Sequence, residues 1–308
     1  MSGTTVVEIA AGTVIGALSA LWLYGERGRL LRKSTWASMK AQGWKNVLNF
    51  KATHAYIYGR WTKEYIYVLR NIIFPKLSDR GRQKWADKYH GKVITHEQAR
   101  SVITLNRNIP LQDLEQVIPY PTARTIILNG PPEIVSYECG CRNSKPNHCS
   151  PTRVCMVIGK PFTDFMVDHH PQKARRLSQA EALDLLKQEH ERGHMHTAWF
   201  KDVMLDRFYN ICNCCKCCCG GIEAMIRYGT PMVCSSGYVA SVDASRCEAC
   251  GTCEKACPFG AITTDKTANV KWESCMGCGV CEEKCPNQAM SLMRDEKKGL
   301  PFDVRSMA

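Results

Sequence analysis

The sequence predicts an α+β protein with an N-terminal transmembrane helix, a mostly helical cysteine-rich central domain and a small C-terminal domain built on a repeated cysteine motif. Three observations carry this. Residues 4–24 form an apolar span with one charge, Glu8. Ten of the nineteen cysteines gather in two bunches, 139–155 and 212–219. Eight more stand in two copies of C-x2-C-x2-C-x3-C-P between Cys247 and Pro286. The expected units of the 308-residue chain are a membrane anchor helix (1–24), a basic aromatic juxtamembrane region (25–92), the central domain (93–233) and the C-terminal domain (234–308).

As a helix rising ~1.5 Å per residue, the span 4–24 reaches about 30 Å, one bilayer core. Trp22 and Tyr24 sit where an interfacial belt falls, and Arg27, Arg29, Arg32 and Lys33 follow. Bases on that side predict a single-pass anchor with the rest of the chain in the cytoplasm. A cleaved signal peptide fits less well, because no basic segment precedes the apolar stretch. A buried soluble helix is the plainer alternative.

The net charge is +12, and residues 25–92 hold all of it, with sixteen Lys and Arg against four acids. Trp36, Trp44, Tyr56, Tyr58, Trp61, Tyr65, Tyr67, Trp85 and Tyr89 are interleaved with these bases. Helices are expected at 45–50 and 65–74, the second ended by Pro75. Such a region suits helices lying on anionic lipid or a docking face for a partner subunit. Single-stranded nucleic acid would suit it too, but no nucleic-acid fold signature is present, and no nucleic acid is expected.

Residues 93–135 contain a capping-box pattern, Thr95 with Gln98, that should open a helix. Three proline-marked breaks follow, and the segment reads as a connector packed on the central domain. A second capping box, Ser178 with Glu181, opens an amphipathic helix over about 179–192, stopped at Gly193. Gly220 and Gly221 precede a helix at 222–228, whose N-terminus favours an anion.

The central candidates for metal ligation are Cys139, Cys141, Cys149 and Cys155 in the first bunch, and Cys212, Cys214, Cys215, Cys217, Cys218 and Cys219 in the second. Dense runs suit metal better than disulfides, which belong to short secreted domains. Each bunch has enough thiols for one centre, and one centre could equally draw from both. Zinc at one bunch and buried structural thiols are the alternatives. His169, His170, His190, His194 and His196 are weaker candidates, since imidazole also ligates iron. Cys234 stands apart and reads as structural.

The repeated motif resembles the two-cluster bacterial-type ferredoxin domain, over roughly 236–295. Cys247 maps onto Cys275, and small residues (Gly251, Gly277, Gly279) occupy the tight loops. Alternating apolar pieces at 238–242, 261–264 and 289–293 suit short strands. The resemblance implies two 4Fe–4S clusters with exchanged ligands. Cys247, Cys250, Cys253 and Cys285 would hold one; Cys275, Cys278, Cys281 and Cys257 would hold the other. The central segment is similar to cysteine-rich companions of ferredoxin domains in anaerobes, which implies no activity. Cys218-Cys219-Gly220 matches the Cys-Cys-Gly motif of the heterodisulfide reductase family, but Val157–Ile211 lacks the upstream partner cysteine.

These readings converge on a membrane-anchored iron–sulfur protein, without catalysis of its own, that relays electrons as a subunit or partner of a larger oxidoreductase. One or two further iron–sulfur clusters are expected in the central domain. The alternative is a redox enzyme whose central domain carries a catalytic cluster or reactive thiols. The absence of a G-x-G-x-x-G fingerprint and of a P-loop favours the carrier.

Overall fold

The computed structural model describes residues 3–43 and 50–307, with side chains from residue 10 and excluding 111 and 112. The expected helix at 45–50 falls outside the described residues apart from Phe50.

A nine-stranded sheet forms the body of the molecule. Its strands are β1 (Tyr89–Ile94), β2 (Ile109–Asp113), β3 (Thr125–Leu128), β4 (Ile134–Glu138), β5 (Arg153–Ile158), β6 (Ala174–Leu177), β7 (Met195–Lys201), β8 (Arg207–Cys214) and β9 (Val233–Cys234). The order across it is β6-β4-β5-β8-β7-β1-β9, with β3 beside β8 and β2 on β3. Most pairs are antiparallel; β1 with β9 and β3 with β8 are parallel. The central domain is therefore not mostly helical, and the expectation is corrected. The strands at its centre are covered on both faces: every residue of β7 and all but one of β8 are buried. Two-sided burial erases the polar–apolar alternation by which a strand is recognised in sequence.

Helices surround this sheet. Both expected capping boxes are formed, Thr95 heading the helix His96–Ile103 and Ser178 heading Gln179–Glu191. In each, the hydroxyl accepts an orphan backbone N–H and the third residue returns a bond to the cap. The helix Thr62–Val68 continues through a π-helical turn, Leu69–Ile73, into Phe74–Lys76. Pro75 thus lies at the second residue of Phe74–Lys76, and the helical chain runs one residue beyond it.

The aromatic residues of 25–92 are mainly core residues. Tyr58 is buried and its hydroxyl meets those of Tyr89 (3.0 Å) and Tyr209 (2.7 Å). Buried Lys201 sits over the same group, 4.4 Å from the Tyr89 ring. Trp36 and Tyr67 remain exposed. Aromatic spacing alone does not say whether rings face lipid or core.

The transmembrane expectation is also corrected. A helix runs Gly3–Gly25, but among the described residues no helix is long and apolar enough to cross a membrane. Its last turn belongs to the body of the protein. Trp22 stacks on Tyr56 at 5.1 Å and its indole N–H donates to the Leu30 carbonyl. Glu26 is buried just beyond, accepting from the Thr35 hydroxyl at 2.8 Å.

The C-terminal domain has two ribbons: β10 (Tyr238–Val242) with β13 (Met290–Arg294), and β11 (Ile262–Thr264) with β12 (Ala268–Val270). It has its own small core, yet Cys278 and Val280 pack into the large central one. The chain end returns to the sheet, where Phe302 packs on Phe200 and Phe208.

Candidate metal centres

The repeated motif folds into two loop-and-helix units. Helices Thr252–Ala256 and Val280–Glu283 each follow a glycine in the left-handed region, Gly251 and Gly279. Gly277 is also left-handed, and a β-carbon there would collide with the Tyr238 carbonyl. Cys247, Cys250, Cys253 and Cys285 line one small cavity. In the other group, the Cys278 thiol is pushed up to about 12, first by burial and then by the charges of Cys257 and Cys275. Cys281 is raised by burial and by Cys278, Cys275 and Cys257. Each repeat thus places its fourth cysteine among the first three of the other. Four backbone N–H groups point at these sulfurs: Ala240 to Cys275 (3.4 Å), Ala268 to Cys247 (3.4 Å), Ala261 to Cys257 (3.3 Å) and Ala289 to Cys285 (3.2 Å). An all-sulfur donor set with amide donors aimed at it fits an anionic cluster.

The ten central cysteines do not divide by bunch. Cys141, Cys139, Cys155, Cys212, Cys214 and Cys219 form a string of thiol contacts. Its last step, Cys219 to Cys214, is 3.3 Å. All six line one cavity of about 80 Å³, walled by Tyr89 and Trp199, which Cys215 and Cys218 also reach. Sheet register brings them together, since Met156 opposite Ile211 sets Cys155 beside Cys212. Hydrogen bonds from Cys139 and Cys212 draw the Cys155 thiol down to about 6. Those from Cys212 and Cys219 draw Cys214 well below its ordinary range. The donors Cys212 and Cys219 are correspondingly pushed up. The backbone N–H groups of Gly220 and Ile222, in the first turn of helix Gly220–Tyr228, favour the thiolates of Cys141 and Cys219.

The other four, Cys149, Cys215, Cys217 and Cys218, have all sulfurs within 4.8 Å of one another; Cys215 and Cys218 are buried, Cys149 is half-buried and Cys217 is exposed. One tetrahedral ion with ~2.3 Å metal–sulfur bonds spaces its thiolates ~3.8 Å apart. A cubane spreads four thiolates wider, because each binds a different iron. This quartet therefore suits a single ion.

Buried Arg142 lies between the central thiols and an acid. Its guanidinium pairs with Glu189 at 2.9 Å and donates to the Asn213 carbonyl at 3.1 Å. Its charge favours the thiolates of Cys214 and Cys215. Burial disfavours the guanidinium charge, but Cys215 and Glu189 outweigh that and raise its pKa.

Of the histidine candidates, His194 binds Glu189 (2.7 Å), while His169 and His170 donate to the Gly25 and Gly59 carbonyls. His190 and His196 converge with His96, which sequence reading passed over. His96 lies a hundred residues from His196 with no local motif, so only the fold joins them. Cys234 ends β9 beside buried Lys92, with its thiol pushed up to about 11 by burial.

Residues 240–263 and 268–291 match the family described as the 4Fe-4S binding domain. These adjacent matches make the C-terminal unit a dicluster ferredoxin-type domain that holds 4Fe–4S clusters. No curated protein matches the chain.

Proposed function

We propose that this protein relays single electrons between a cluster in the central thiol-lined cavity and the C-terminal pair, as a subunit or partner of a larger oxidoreductase. One observation carries the reading: Cys278 shares a continuous buried core with Cys139, Cys155, Cys214 and Cys219. Bound clusters supply the one-electron carriers. The chain holds them through thiolates, excludes water with the Tyr89 and Trp199 walls, and offsets their negative charge with Arg142. Lys216, inside the quartet's loop, donates to the Lys255 carbonyl at 3.3 Å, which adds a second contact between the units.

The proposal includes a location at the cytoplasmic face of a membrane. Val14, Ile15, Leu18 and Leu21 are exposed on the N-terminal helix, and the basic residues follow. A chain lacking residues 1–24 should then partition to the soluble fraction. Equal membrane attachment by that shortened chain would remove this element.

A second reading rests on the six thiols. A cubane uses four of that string, so two of its thiols remain for substrate or bond exchange, which is the enzymatic alternative. Anaerobic purification of the full chain tests both. About twelve irons and twelve sulfides per chain, reducible without added substrate, support the relay. About eight irons, with the central thiols free or zinc-bound, would refute it. A central cluster whose spectrum changes only with substrate would favour the enzyme.

A further inference from the structure

We propose that His96, His190 and His196 form a binding site for one divalent transition-metal ion where the central and C-terminal domains meet. The three residues come from the start of helix His96–Ile103, the end of helix Gln179–Glu191 and the start of β7. Their ligating nitrogens all lie within 4.8 Å of one another. His96 Nδ1 and His196 Nε2 are 3.4 Å apart. That is close to the ~3.4 Å edge of a tetrahedron with metal–nitrogen bonds of ~2.0–2.1 Å.

The direction of His196 is fixed from behind. Its Nδ1 is 2.6 Å from Asn213 Oδ1, and the Asn213 amide donates to the Val154 carbonyl at 2.7 Å. That second bond identifies the amide's oxygen end, so His196 Nδ1 carries the proton. The Nε2 lone pair of this fully buried ring therefore points at the other two histidines. An outer partner that sets the tautomer in this way is a recurrent feature of metal-bound histidine.

Glu283 Oε2 lies 3.3 Å from His190 Nε2 and brings a carboxylate from the C-terminal domain. Its helix also carries Cys281, and the adjoining Lys284 donates to the Glu191 carbonyl. An ion here would lie beside the ligand loop of one 4Fe–4S cluster, with Glu283 next to its His190 ligand. The site is separate from all eighteen cysteines assigned above and does not depend on the proposed relay.

The test uses the full chain loaded with its clusters without oxygen, given Zn²⁺ and then desalted. The expected result is one retained zinc with a nitrogen shell at ~2.0–2.1 Å by X-ray absorption. Zinc at the Cys149 quartet would add sulfur at ~2.3 Å, which histidine variants leave in place. His96→Gln and, separately, His190→Gln should weaken the nitrogen-bound zinc by at least ~10-fold while iron and sulfide contents stay unchanged. No retained zinc, a shell of sulfur alone, or variants that keep the nitrogen shell at unaltered affinity would overturn the proposal.

Discussion

Ala240 and Ala268 occupy the same position of two repeats 28 residues apart, and each donates its N–H to the leading cysteine of the other repeat. The C-terminal domain is thus a reciprocal structure in its hydrogen bonds as well as in its thiolates. Amide donation to a ligand sulfur withdraws electron density and raises the reduction potential. Ala268 opens β12, a position where proline is tolerated. Ala268→Pro should make the cluster held by Cys247 harder to reduce and leave the other unchanged. A potentiometric titration followed by electron paramagnetic resonance checks this. Equal shifts at both clusters, or none, would contradict it.

Exchange of the fourth ligand gives a second expectation. Cys257→Ser should damage the cluster held by Cys275, Cys278 and Cys281, and Cys285→Ser the one held by Cys247, Cys250 and Cys253. Each variant should lose up to about four irons, one cubane's content. Spectra assigned with the Ala268→Pro variant identify which cluster is lost; damage confined to the altered residue's own repeat would sink the assignment.

Arg142 is paired within the protein interior, so its removal leaves Glu189 underpaired. Arg142→Leu should destabilise the fold by ~3–5 kcal/mol. Replacing both residues with leucine should recover part of that loss, because the buried Glu189 carboxylate is then no longer left without its Arg142 partner. Denaturant unfolding of the two variants measures the difference, and equal losses would argue against the pair.

His169 gives the chain a pH dependence away from every metal site. Burial holds its folded pKa near 4, against an ordinary value of 6.5, although the Gly25 carbonyl accepts from its Nδ1 (3.2 Å). Between those values the unfolded chain binds the proton and the folded chain does not. Stability is therefore complete above 6.5 and is lost as pH falls toward 4. The urea midpoint should drop between about pH 7 and about pH 5, and His169→Gln should drop less. An identical pH slope in that variant would rule His169 out as the cause.

The sequence by itself determined what closes within a short loop. The repeated motif, with glycines at its tight turns, specified the dicluster domain. Thr95 and Ser178 marked their helix starts, because a capping box needs only four successive residues. Tertiary structure decided what depends on strand register and on partners far along the chain. It divided the ten central cysteines into a string of six along a cavity and a close quartet beside it, each group drawing from both bunches. It joined His96 to His190 and His196, and it turned Tyr56, Tyr58 and most of the other described aromatic residues of 25–92 onto the core. Spacing along the chain encodes distance only until the backbone turns back on itself. Beyond that, sheet pairing sets which side chains meet, and strands buried on both faces leave no alternation from which to read that pairing.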